Sequence, residues 1–191
     1  MSHLSKVQVA IRDIDVLGEA LRAIGLRRVA EVPENYEFAG TFNTCDVIAV
    51  NAVNRVMAFK FVDGEAELHS NLEPGDFEKT RDELLQKYAV LLLRKTVEQE
   101  GKFQVREQET LPDGTVRIKV GRWVGPMAEQ TVTYLIGKDG KITVEVNGVR
   151  GPACRELVKE TVEKLGVELS VELKPEYFDQ AEEKEQEKNR F

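Results

Sequence analysis

From Glu78 to Glu100 the chain places Leu84, Leu85, Tyr88, Ala89, Leu91, Leu92, Leu93 and Val97 at helical spacing, and no other stretch constrains the fold as tightly. This apolar set is wider than one narrow stripe, so a helix built from it needs neighbours on two sides. It is the expected central helix of a first core. Thr80 and Glu83 stand at capping-box spacing, with Asp76 as an earlier possible start.

Strands must supply the cover. Ser5 to Ile11 alternates around Val7, Val9 and Ile11, as a half-buried strand does. A helix follows, with Asp13 or Asp15 as N-cap, Leu17, Ala20, Leu21 and Ile24 on one face and Gly25 as its stop. Leu26 to Val32 and Asp46 to Asn51 read as strands, and Val56 to Val62 pairs with Glu65 to Ser70 through Asp63-Gly64. Beyond the long helix, Phe103 to Thr110 and Thr115 to Val120 form a hairpin around Pro112-Asp113-Gly114. The period is lost over "GRWVGPMAEQ", Gly121 to Gln130, which marks the expected boundary. Thr131 to Ile136 and Lys141 to Val146 then make another hairpin, followed by a helix from Ala153 to Leu165 and a strand from Val167 to Leu173.

The expected fold is therefore α+β: an antiparallel sheet packed on at least two helices over residues 1–123, a linker at 124–130, and a small ββαβ module at 131–178. The charged tail 179–191 reads as a frayed helix or disorder. A module of that size leans on a partner surface for part of its core.

Charge narrows the function. A net charge of −7 repels phosphate backbones and anionic lipid, so nucleic acid is not expected as a ligand. No apolar run approaches the roughly 20 residues of a membrane span, and the start "MSHLSKVQVAIRD" carries no signal-peptide pattern; the expectation is a cytoplasmic protein without membrane insertion. Cys45 and Cys154 are too few for a disulfide framework.

The stretches "MSHLSKVQVAIRDIDVLGEALRAIG" and "YAVLLLRKTVEQEGKFQVREQETLPDGTVRIKVGRW" resemble the hypothetical chloroplast reading frame 35 family, also called domain of unknown function 1257, over about residues 1–123. "GKITVEVNGVRGPACRELVKETVEKLGVELSVELKPEYF" resembles domain of unknown function 2997 nearly end to end. The resemblance supplies no enzyme activity. It implies association, because members of the two families occur as neighbours, often beside an ATPase of the AAA type; joining two partners in one chain fixes their stoichiometry and raises their effective concentration.

Among candidate residues Cys154 is the sharpest. A thiolate gains from a helix N-terminus and from nearby Arg150 and Arg155, although a cysteine just after Gly151 also serves as a small filler where helix meets hairpin, and that is the favoured reading. Asn147, Gly148, Arg150 and Gly151 form a turn able to cradle an anion, but without a Walker lysine they read better as turn residues. His3 and His69 have no ligand at metal spacing. Acidic pairs such as Asp13 with Asp15 and Glu65 with Glu67 are better explained as caps or a strand face. No catalytic residue, metal or cofactor is expected. Trp123 and Met127, with Tyr177 and Phe178, are candidate interface residues. For Trp123 a clamp between modules is preferred to a partner-facing hot spot.

The expected function is a non-enzymatic adaptor or accessory subunit acting through protein surfaces, with an AAA-type ATPase as the partner the resemblance implies and self-association left open. The alternatives are a thiol-dependent redox protein or enzyme using Cys154 and an anion sensor at the Gly148–Cys154 turn.

Overall fold

Asp13 fixes where the first helix begins. Its carboxylate accepts from the backbone amides of Asp15 and Val16, both at 3.0 Å, satisfying two of the free donors of a helix start. The computed structural model describes residues 5–9, 11–29 and 45–147, together with 159, 161, 163, 165, 170 and 171. Helix α1 spans Ile14–Ala23, buries Leu17, Ala20 and Leu21, and stops before Gly25, whose φ of 85° glycine adopts without strain. Around it lie β1 (Ser5–Val9), β2 (Arg27–Val29), β3 (Val47–Val50), β4 (Val56–Val62) and β5 (Glu65–Ser70). The five strands form one antiparallel sheet in the order β1-β5-β4-β3-β2. β4 and β5 turn through Asp63 and Gly64, both at positive φ, as a two-residue hairpin of this twist requires.

The centre of this sheet is apolar on both faces. All of β3 and the first four residues of β4 are buried. Ile48, Val50, Val56 and Ala58 cluster together, with Val29 and Cys45 packed against them, and alternation puts Val47, Ala49, Met57 and Phe59 on the other side. Helix α2 spans Pro74–Glu100 and starts ahead of the expected Glu78. Proline lacks the N–H that a first turn would leave idle, and the Phe77 amide already donates to the Glu73 carbonyl at 2.8 Å. Thr80 and Glu83 are thus interior, and no capping box forms there. The buried Tyr88 hydroxyl accepts from the amides of Arg12 and Asp13, each at 3.0 Å, which ties the lead-in of α1 to α2.

The chain divides into two compact units, Met1–Leu91 and Leu92–Phe191, the division falling inside α2. In the second unit β6 (Gln104–Thr110), β7 (Val116–Trp123), β8 (Glu129–Ile136), β9 (Ile142–Asn147) and β10 (Ser170–Val171) form a sheet in the order β10-β9-β8-β7-β6. Its pairs are antiparallel except β10, which runs parallel to β9. A bulge between Val105 and Glu107 leaves Arg106 as the extra residue of β6. Gly114 and Gly140 take positive φ in the two Asp-Gly turns, and the preceding carboxylates accept from the amides of Thr115 (2.9 Å) and Lys141 (3.1 Å).

Of residues 124–130, read from the sequence as a linker, Glu129 and Gln130 belong to β8, and 124–128 connect it to β7. β7 pairs with β8 from Val116↔Ile136 to Trp123↔Glu129, and the Val124 amide closes the connecting loop by donating to the Ala128 carbonyl at 3.0 Å. The lost period has a cause at Gly121. A Cβ there would meet Glu129 Oε1 at 2.5 Å and Arg106 Nε at 3.1 Å, so the bare glycine seats the Arg106–Glu129 ion pair, 2.9 Å long. The chain is α+β, as expected. After β9, Lys159, Thr161, Glu163 and Leu165 are helical and two strand residues pair beside β9; the rest of the expected ββαβ unit lies outside the described residues. No described helix is long and apolar enough to cross a membrane.

Candidate functional site

The tip of the β7–β8 hairpin is the most exposed apolar feature among the described residues. Alternation sets Ile118 and Val120 of β7 on the buried face, so Trp123, an odd number of residues further on, points to the opposite one. Trp123 is 63% exposed, Val124 46% and Met127 93%. The clamp expected of Trp123 therefore does not form: its ring remains largely in water. The frame beneath the tip is held firmly. Arg122 donates to Gln130 Oε1 at 2.9 Å, and its guanidinium lies 5.1 Å from the centroid of the buried Phe103 ring, a cation–π distance. Arg106 pairs with Glu129 beside it. A fixed frame presenting a solvated aromatic and a methionine is the usual composition of a contact hot spot.

A polar chain runs through the core of the second unit. Thr161, buried and helical, donates to Glu100 Oε2 at 3.0 Å, and its side chain is hydrogen-bonded to Tyr134. Burial pushes the Tyr134 hydroxyl up to about 12; the Thr161 bond pulls the other way and the Glu100 charge adds to the rise. At neutral pH the phenol is a fixed proton donor, not a base. It joins a helix to a sheet; it does no proton transfer that the geometry can identify.

In the first unit, Glu67 and His69 stand two residues apart on β5, hence on one face, with Nε2 and Oε1 2.6 Å apart. Cys45 is partly buried beside the Ile48–Ala58 cluster. Burial pushes its thiol up, Asp46 and Glu67 push the same way, and Lys60 opposes them, so the protonated form is favoured and the thiol is a poor nucleophile. A cavity of about 370 Å³ is lined by Arg12, Val62, Asp63, Gly64 and Glu65, but Arg12 and Glu65 are already paired at 2.9 Å. Among the described residues no group of three or more His, Cys, Asp or Glu side chains could hold a metal ion.

Of the residues singled out from sequence, Trp123 and Met127 share the tip, and Asn147 is the last residue of β9, opposite Thr131. Cys154, Gly148, Arg150, Gly151, Tyr177 and Phe178 lie outside the described residues. Sequence reasoning missed the Glu67–His69 pair, which period-two spacing in "EAELHS" would have shown. It also missed the Tyr134–Thr161–Glu100 chain, which leaves no local signal.

The fold and the tip define a two-unit α+β protein with a solvated apolar tip on a paired hairpin. Comparison with known proteins gives that class two affinities. Residues 132–178 match the family described as protein of unknown function (DUF2997). The N-terminal part is similar to the uncharacterized protein ycf35 of Pyropia yezoensis, 27% identical over 129 residues, and to that of Cyanophora paradoxa, 29% identical over 128 residues; each alignment takes in 64% of this chain and 98% of the relative. No solved structure matches the chain.

Proposed function

We propose that the protein is a non-enzymatic adaptor or accessory subunit, working in the cytoplasm, that engages a protein partner through the Trp123–Val124–Met127 tip. The exposure of these three side chains on a rigid hairpin carries this reading, because apolar area left in water on a fixed frame gains most from being covered by another surface. The acidic balance of the chain favours a partner with a basic surface around its apolar pocket. An AAA-type ATPase is the candidate the family resemblance offers.

The test compares the tagged full chain with its Trp123→Ser/Met127→Ser variant, both expressed in the native host and purified with their companions. The wild-type chain should retain one defined companion that the variant loses, while the circular dichroism of the two is the same. A companion held equally by both would remove the tip from the proposal, and the absence of any stable companion would remove the adaptor.

A further inference from the structure

We infer that β7 is an assembly edge, and that the chain from β8 onward is a strand-donating partner whose hold on that edge does not require the loop joining them. The inference is independent of the adaptor reading, since it concerns how the second unit is put together and not what its tip meets.

Three observations carry it. The first is where the similarities meet. The ycf35 proteins align over 98% of their own length with the N-terminal 64% of this chain, which runs out near the end of β7, and the family match begins at Val132, inside β8. The seam between two kinds of sequence thus falls at one hairpin tip. The second is the ladder across that seam. Eight positions of β7 pair with β8 in unbroken register, and the facing residues Ile118 with Tyr134 and Val120 with Val132 are all buried, continued by Ile136, Ile142, Val144 and Leu165. The third is the polar crossing of the seam: Thr161, from the later segment, donates to Glu100 in the earlier one and is bonded to Tyr134.

A sheet that ended at β7 would leave a row of unpaired backbone groups beside an uncovered apolar face. Strand addition answers both needs, with main-chain bonds for affinity and alternate side chains for choice of partner. The occupant that fits is a strand carrying Val132, Tyr134 and Ile136 at alternate positions, continued by a second strand: a segment of the kind matched at 132–178. The joining loop adds little to the hold, since its large side chains are in water. Its contribution is effective concentration.

The test uses the full chain with a site-specific protease sequence inserted between Gly125 and Pro126, cut only after folding. The two fragments should co-elute at the volume of the uncut protein, β7 amides should keep their hydrogen-exchange protection, and the thermal midpoint of the cut protein should rise with concentration, whereas that of the uncut protein should not. Limited chymotrypsin cleavage of the unmodified chain at Trp123 provides a second route if the insertion disturbs folding. Separation or precipitation of the fragments under native conditions overturns the inference. Co-elution with loss of β7 protection overturns it equally, since the fragments would then be held by something other than the strand edge.

Discussion

The two sheets solve burial differently. In the first unit β3 and the start of β4 are buried on every residue, so both faces of the sheet centre are core. In the second, burial alternates: Ile118, Val120, Val132, Tyr134 and Val144 lie inside, while the outward face carries ion pairs such as Arg117–Glu109 and Arg106–Glu129. A strand buried on both sides tolerates no polar position, whereas a strand buried on one side has a free face on which charge, glycine and exposed aromatics can be placed. That is why the exposed apolar tip belongs to the second sheet.

Substitution can break this contrast. Ala58→Asp puts a carboxylate at a fully buried position of the first sheet, with no room and no partner; the expected loss is at least about 4 kcal/mol, in effect the unfolding of that unit, seen as disappearance of its transition in urea denaturation. Tyr134 probes the single buried face of the second sheet. Its folded value of about 12 lies above the ordinary 10, so the stabilisation is fully present below pH 10 and is lost as pH rises from 10 to 12, where the unfolded phenol ionises first. The loss should be on the order of 2–3 kcal/mol, read from urea midpoints across that window. Tyr134→Phe should abolish this pH dependence, at a cost near neutrality of about 1–2 kcal/mol for the missing hydrogen bond; a wild-type curve that stays flat to pH 12 would show the phenol is not held as described. On the outward face, Arg117→Ala removes an ion pair whose side chains are nearly half exposed. It should change stability by less than about 1 kcal/mol, and a larger loss would mean the outward face is not free after all.

Legibility in sequence followed the range of the forces involved. α1 could be read with its Asp13 cap and Gly25 stop, and three hairpins with their Asp-Gly turns, because caps and turns are decided by residues a few positions apart. The pairing of β7 with β8 is not legible in sequence, because their loop has no Asp-Gly signal and Gly121 interrupts the pattern for a reason, the Arg106–Glu129 pair, that only strand pairing creates. The early start of α2 at Pro74 was visible in principle, since proline suits a first turn. The candidate site divides in the same way. Trp123 and Met127 could be named as candidates from composition, but their exposure depends on which face of β7 is buried, and Glu100, Tyr134 and Thr161 are brought together only by the tertiary fold.

The extra residue in β6 sets the phase of everything that follows it along the strand. With Arg106 bulged out, Glu107 stands opposite Lys119 and Glu109 opposite Arg117; counted without it, Arg106 would confront Lys119, cation against cation. Bulging one residue out of the ladder thus replaces a clash of like charges with two complementary rungs, and deleting Arg106 would keep both rungs while taking from Glu129 its ion-pair partner, without touching a hydrophobic side chain.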